Sequence, residues 1–585
     1  MHAGENLLHD TAYTFEVLYE SDSALLALTR YPEYPVQIVN NHHLFLVLEG
    51  CLVDDNPVNY ERELSELASH IFSGEKSAQL AVVDWLMTHD GDYLIVAHDR
   101  NKGEWAILTD PLARLPVYAR KLDKELILSR EFNLFRHFQV QDFDRMALSQ
   151  YLALGYSAGK RTLLAGIERL PASLLINIGA DGKTRTNLLH QWNLEQKHSL
   201  PFDGATDSLV SSFIKGCRRQ RNRVDRAFVT LSGGLDSRAV AAGLKQVDGN
   251  IPTVTFGGAL GVHSDVNTAR EIAARFQLPW KYVELGKPAG SELVQILKTK
   301  GGIIQLSQAA DIFFMSEAEK LFGRDATYFS GDGGHQLLPD LRPGRSFNSD
   351  NQLAKYILDR QSIMPLDIIS KLCSVSSEDI IGSIEAILSN YPEQAYEQKY
   401  VRFLLYERAM RWLNEGEDRN RCYFWCQTPF FSLPFFRAAI ACPDRHKSGH
   451  RIYAEFLHRL HAEATTVPYA NYNSRIDSAS FRMKMTAIRT ISRFPKTLSA
   501  LRASLRPEPR LSPMDTLVRC LSWQESHVSD LGEYFDKSVL SDIINRPERL
   551  SITAMDNLFT LTSALEYHRA EPASLREFSE ERFPG

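Results

Sequence analysis

No apolar run in the sequence approaches the ~20 residues needed to cross a bilayer as a helix, so no membrane partner is expected. Charge of one sign is not in excess either. The 66 Lys and Arg residues stand against 72 Asp and Glu, a net charge of −6 that gives no support to a nucleic-acid polyanion as partner. Cysteine is scarce and odd in number, seven in 585 residues, which argues for reduced thiols rather than a disulfide frame. Glu5 and Asp10 precede any Lys or Arg, and the basic, greasy, small-residue order of a secretory signal is missing. A cytoplasmic protein is the expectation. Cys422, Cys426, Cys442, His446 and His450 are zinc-type side chains. They lack the close C-x₂-C pairing of a zinc site, and Trp425, Phe430 and Phe431 among them read as core, so buried free thiols are expected.

What is present is ordinary globular composition, 44% hydrophobic and 24% charged, in a chain long enough for two to four domains. Its organising stretch is AFVTLSGGLDSRAVAAGL, residues 227–244. The apolar run Phe228, Val229, Leu231 stops at Ser232-Gly233-Gly234, and a helical pattern begins at once, so the glycines form a strand-to-helix turn. Gly233 and Gly234 let backbone approach an oxyanion without an intervening Cβ, and the helix start offers unpaired N–H groups. Ser232 and Ser237 add hydroxyl donors. Asp236 would repel a bare phosphate and makes sense with a divalent cation between them, which favours Mg-pyrophosphate. No lysine follows the glycines, so the turn is not the GK[ST] phosphate loop.

Residues 1–200 read as mixed and β-rich, with apolar runs at Tyr13–Leu18, Leu44–Leu48, Tyr93–Ala97, Trp105–Leu108 and Leu126–Leu128, and helical stretches near Asn59–Ile71 and Gln79–Thr88. Asp144–Trp192 reads as helix, turn and strand. Pro201 and Gly204 mark a linker and the boundary with a second domain, 201–585. From Asp207 helices and strands alternate: a helix to about Arg221, strands at Ala227–Leu231, Thr253–Phe256, Trp280–Leu285 and Ala326–Phe329, and a helix at Ser264–Phe276. That order predicts a parallel sheet with ligand at its carboxyl edge, where a second glycine loop, Ser330-Gly331-Asp332-Gly333-Gly334, joins the first. Beyond Leu341 the pattern is helical, with amphipathic stretches at Tyr400–Asn414 and Gly449–Ala462. The basic run carrying Arg489, Arg493, Lys496, Arg502 and Arg506 reads as a solvated helix face or as a docking surface for an acidic partner.

SGGLDS after an apolar strand resembles the pyrophosphate loop of the ATP pyrophosphatase superfamily, and its leucine points to the asparagine synthetase-like (class B) family. LEGCLVDDN, DGDYLIVAHDR, DPLARLPVYAR and LILSREFNLF are similar to segments of the glutaminase-type domain that precedes the synthetase domain there. The resemblance implies an α/β + α chain: an N-terminal Ntn-type αββα sandwich, then a parallel-sheet, adenine nucleotide hydrolase-like synthetase domain with a helical C-terminal part. It implies ATP and Mg²⁺ as cofactors, bound by Leu231, Ser232, Gly233, Gly234, Leu235, Asp236, Ser237, Phe256 and Gly331, with Asp236 and Asp332 at the metal. Asp332 falls where family members carry a base for the amine. Glu417 and Asp418 fall at a second acidic partner, and Arg475 lies in the loop that elsewhere holds a catalytic lysine, the next lysine being Lys484. His335 replaces a family acid that binds magnesium. A glutaminase of this type works through a terminal cysteine, whereas this sequence starts Met-His-Ala-Gly and has Cys51 as its first thiol, so no ammonia release from glutamine is expected. The implied activity is AMP-forming amide ligation on a small-molecule or peptide substrate, close to β-lactam synthetases and lasso-peptide cyclases, with biosynthetic proteins as partners. A non-catalytic nucleotide-binding scaffold and an ammonia-dependent asparagine synthetase are the alternatives.

Overall fold

The computed structural model describes residues 4, 7–55, 59–122, 125–138, 142–257, 264–286, 290–491, 514–528 and 530–569. The fold is mixed α/β. Its first half centres on a six-stranded antiparallel sheet ordered β11-β10-β6-β5-β4-β3, built from β3 (Val36–Asn40), β4 (Leu44–Leu52), β5 (Gly91–Asp99), β6 (Glu104–Thr109), β10 (Leu174–Ile178) and β11 (Thr184–Leu188). The two-residue period decides which face each side chain takes. Tyr93, Ile95 and Ala97 pack with Leu46 and Leu48 beneath the helices Tyr60–Ser73 and Lys76–Thr88. Leu94, Ile107 and Ile176 face the other way, towards Leu126, Leu128 and Trp425. That second face is covered by a small sheet, β7 (Tyr118–Lys121) between β8 (Leu126–Ser129) and β9 (Ile167–Arg169), and by the second half of the chain. A separate hairpin pairs β1 (Thr14–Glu20) with β2 (Leu25–Arg30).

Pro201 and Gly204 do not form a loop: a helix runs Phe202–Arg221 with Pro201 as its N-cap. Proline is compatible with a helix start because the N–H it lacks has no partner in the first turn, so the residue that suggested a linker begins the helix. The second sheet is parallel, ordered β14-β13-β12-β15-β16, from β12 (Ala227–Thr230), β13 (Thr253–Gly257), β14 (Trp280–Glu284), β15 (Thr327–Phe329) and β16 (Cys426–Gln427). Phe228 belongs to one apolar core, stacked on Phe322 at 4.3 Å, while Ala227 and Val229 belong to the other. Both faces of β12 are therefore buried, which is why it reads as a continuous apolar run. β12, β13 and β14 step one way across the sheet and β15 falls on the far side of β12, so the order reverses between β12 and β15. Ligands of open parallel sheets bind at such a reversal.

The amphipathic stretch 400–414 departs from a single α-helix: α-helix over Tyr396–Phe403 passes into a π-helical run, Leu404–Leu413, and then a short helix of polar residues, Asn414–Asn420. The second amphipathic stretch gives the helix Arg451–Leu460. Arg493, Lys496, Arg502 and Arg506 lie outside the described residues.

Candidate active site

Both glycine loops leave the sheet at its reversal point. After β12 the Leu231 N–H joins Val254 O at 2.8 Å, and Gly234 caps the helix Leu235–Val247. Within the turn Ser232 and Ser237 bond side chain to side chain at 2.9 Å, the Ser232 N–H donates to Ser237 Oγ at 3.0 Å and the Gly234 N–H to Ser232 Oγ at 3.2 Å. Asp265 takes the Gly233 N–H at 3.0 Å. Space is tight enough to require glycine: a Cβ on Gly233 would sit 2.7 Å from that of Ala470. Phe256, at the carboxyl end of β13, is half-buried and stacks on Phe314 at 4.2 Å.

The second loop folds onto the first. A Cβ on Gly331 would lie 2.6 Å from the Ser237 nitrogen, and one on Gly334 would lie 2.8 Å from Asp236 Oδ1. Gly333 turns the chain with φ +108°, a region closed to most side chains. The His335 N–H donates to Asp236 Oδ2 at 2.9 Å, and the Tyr453 hydroxyl donates to Oδ1. Thus His335 serves the carboxylate through its backbone while its side chain is exposed. Burial raises the Asp236 pKa, opposed by His335 and the Tyr453 hydrogen bond.

Glu417 comes from the polar helix. Ser330 Oγ donates to its Oε1 and Cys426 Sγ to its Oε2. Asp332 lies beside it, fixed by its own N–H to Ser330 Oγ at 3.3 Å and by Thr428 Oγ1 donating to its carbonyl at 2.6 Å. Burial pushes the Asp332 carboxyl well above the usual range, and the charges of Glu417 and then Asp236 push it further. Three carboxyl groups from three elements therefore converge, and two of them, Asp332 and Asp236, flank the glycine cradle. Their mutual repulsion in a desolvated pocket is the environment a divalent cation relieves, so the donor set fits Mg²⁺ completed by oxygens of ATP and water.

Other predicted residues are placed elsewhere. Asp418 turns away from the loops to Lys300, 2.8 Å away, and Arg130. Burial alone would raise its pKa, but those two cations override it and hold the carboxyl far below its usual value. Arg475 is exposed and pairs with its neighbour Asp477 at 2.7 Å. Its loop does adjoin the glycine turn, through the Ala470 N–H to Gly233 O at 3.3 Å. Lys484 reaches back to that loop, its Nζ 2.7 Å from Tyr472 O and 2.8 Å from Ser474 Oγ. Cys442 bonds the Pro443 carbonyl, and a ring nitrogen of His446 bonds the Leu200 carbonyl at 2.9 Å. Among the described residues no three His, Cys, Asp or Glu side chains form a metal cluster.

Sequence reasoning named Ser330 and Cys426 without their bonds to Glu417, and did not single out Tyr453 or the buried Arg238. The last donates to the carbonyls of Ala464, Val467, Gly233 and Pro468, tying the first loop to the segment that leads to Arg475. Burial lowers its pKa to about 10.

Fold and site together define an α/β protein with two glycine loops at a parallel-sheet reversal. The asparagine synthase family model matches residues 218–339, the stretch holding both glycine loops. Similar solved structures include "Structure of the allosteric regulatory enzyme of purine biosynthesis", 13% identical over 44% of this chain and 64% of that one, TM-score 0.19. Another is "Glutamine phosphoribosylpyrophosphate (PRPP) amidotransferase from B. subtilis complexed with ADP and GMP", 11% identical over 54% and 68%, TM-score 0.18. The chain thus spans less than two thirds of the first of these. A search of curated proteins gives no match.

Proposed function

We propose that the protein is an ATP-dependent, AMP-forming amide ligase acting on a peptide or small-molecule carboxylate, with a first domain descended from an Ntn-type glutaminase. The observation that carries this is the meeting of Asp236, Asp332 and Glu417 around two glycine loops at the sheet reversal. The N-terminal turn of helix Leu235–Val247 and the serine hydroxyls hold the β,γ-phosphates. A substrate carboxylate oxygen bonds to the α-phosphorus as the bond to pyrophosphate breaks. The amine nitrogen then attacks the acyl carbon, AMP leaves, and the amine's proton passes to the Asp332–Glu417 pair. Asp236, completed by oxygens of ATP and water, would hold Mg²⁺, which would supply neutralisation of the charge on departing pyrophosphate. Lys484, from the helix Ala479–Ile491, or Arg475, on the late loop, provides the cation facing the phosphates.

The first domain is not a glutamine-hydrolysing unit in this reading. Cys51 is its one thiol, and burial pushes that thiol up to about 12, so it is not a nucleophile near neutral pH. A second reading, a nucleotide-binding scaffold, draws on the Gly233 N–H engaged by Asp265 and on Arg475 paired outward. Pyrophosphate release from Mg-ATP on addition of acid substrates, with AMP as co-product, decides between them. ATP binding without pyrophosphate release across a panel of peptide and amino-acid carboxylates would favour the scaffold.

A further inference from the structure

The helix Asn414–Asn420 is polar from end to end yet almost wholly buried. Its partners explain how. The Asn414 side chain donates to the carbonyls of Leu112 and Ala113 at 3.1 and 2.9 Å. Glu415 accepts from the Tyr118 hydroxyl at 2.6 Å and pairs with Arg169 at 3.4 Å and Lys300 at 2.6 Å. Asp418 meets Arg130 and Lys300, and Arg130 in turn holds Glu49 at 3.2 Å. Just past the helix, Arg421 bonds Asp92 at 2.7 Å and the Arg114 carbonyl at 2.8 Å. Every one of these partners except Lys300 belongs to the first half of the chain. Three cations, Arg130, Arg169 and Lys300, balance three carboxylates, Glu49, Glu415 and Asp418, in a largely buried seam.

Such a seam is poorly suited to adding stability, since desolvating six charges offsets much of their attraction, but it fixes geometry. We propose that the first domain acts as a positioning frame for Glu417: Tyr118 and Arg130 grip Glu415 and Asp418 on either side of it and so fix where its carboxyl meets Asp332. This rests on the reading of Glu417 as a carboxyl at the reacting centre. It gives a domain without an activated thiol a role in the amine step.

The test uses the full chain with Tyr118→Phe, which removes one hydrogen bond and keeps the shape, and Arg130→Met with Arg130→Lys as its conservative control. Hydrogen exchange of amides 414–421 is expected to quicken at least tenfold in Tyr118→Phe and Arg130→Met, with amides of Leu235–Val247 unchanged. Unchanged exchange at 414–421, or equal acceleration in both segments, overturns the proposal. The chemical readout uses Mg-ATP with L-aspartate and L-glutamate as acid probes and two amines. Ammonia, mostly protonated at neutral pH, depends on a placed base, and hydroxylamine, mostly neutral there, depends on it far less. Amide from ammonia should fall at least tenfold while hydroxamate stays within about twofold, with Arg130→Lys recovering most of the loss. A parallel fall with both amines overturns the proposal. If the unaltered protein makes hydroxamate with neither acid, it is the ligase reading with these probes that fails, and the exchange result still decides the frame.

Discussion

At the scale of single residues, the site is defined by which carboxyl groups tolerate neutrality. Asp236 sits in an environment that already raises its pKa, and its two donors can bond an amide oxygen and, after rotation of the Tyr453 hydroxyl, an amide nitrogen. Asp236→Asn should therefore leave the melting temperature within a few degrees while lowering pyrophosphate release at least about 100-fold, the scale of losing a charge that stabilises the transition state. Calorimetry and a pyrophosphate assay read the two halves of that statement. Asp332→Asn is expected to keep exchange of labelled pyrophosphate into ATP but to lose amide formation, because an amide cannot take a proton from the amine. Loss of exchange as well would reassign Asp332 to the metal. On the late loop, Arg475 is spent on Asp477 and Lys484 touches the loop itself. Lys484→Met should accordingly lower kcat at least tenfold more than Arg475→Met, and the reverse order would return the role to the arginine.

At the scale of elements, the helix Ile552–Arg569 is buried nearly all round and carries Asp556 inward. Burial raises that carboxyl to about 6 from 3.8, against hydrogen bonds from Ser307 that favour the charged form. A carboxyl whose folded pKa is raised contributes stability only while protonated. The stability contributed by this group should fall as pH rises from about 4 to 6, by up to about 3 kcal/mol at 1.36 kcal/mol per pKa unit. Asp556→Asn removes this dependence, so the melting temperature of the variant should overtake that of the wild type progressively across that window. A constant difference from pH 4 to 7 would contradict the assignment. His450 and His568, both lowered to about 4 by burial, act with the opposite sign: their contribution is lost as pH falls from about 6.5 to 4. The Asn variant isolates the carboxyl from that background.

At the scale of the whole molecule, glutamine should not serve as nitrogen donor, and glutamate release above background in the presence of Mg-ATP and an acid substrate would refute this. The division between what was legible in the sequence and what was not follows the range of the interactions. The turn at Ser232–Ser237 and the two-faced strands around it are written in consecutive residues, where periodicity and glycine placement act directly. Tyr453 meets Asp236 from 217 positions away and Ser330 meets Glu417 across 87, and no local pattern announces such a meeting. Glu417 and Asp418 were indistinguishable as neighbours because a helix polar at nearly every position has no apolar stripe to set its phase. Only the partners on each side turn one towards the loops and the other towards Lys300. The same long reach governs the order in which a newly made chain becomes competent. Both glycine loops have been translated by Gly334, yet β16, Glu417 and Tyr453 are still to come. At ~5–20 residues per second the loops wait on the order of ten seconds for the residues that complete them. A chain halted in that interval would carry the loops and Asp332, but not the Glu417 carboxyl that meets it.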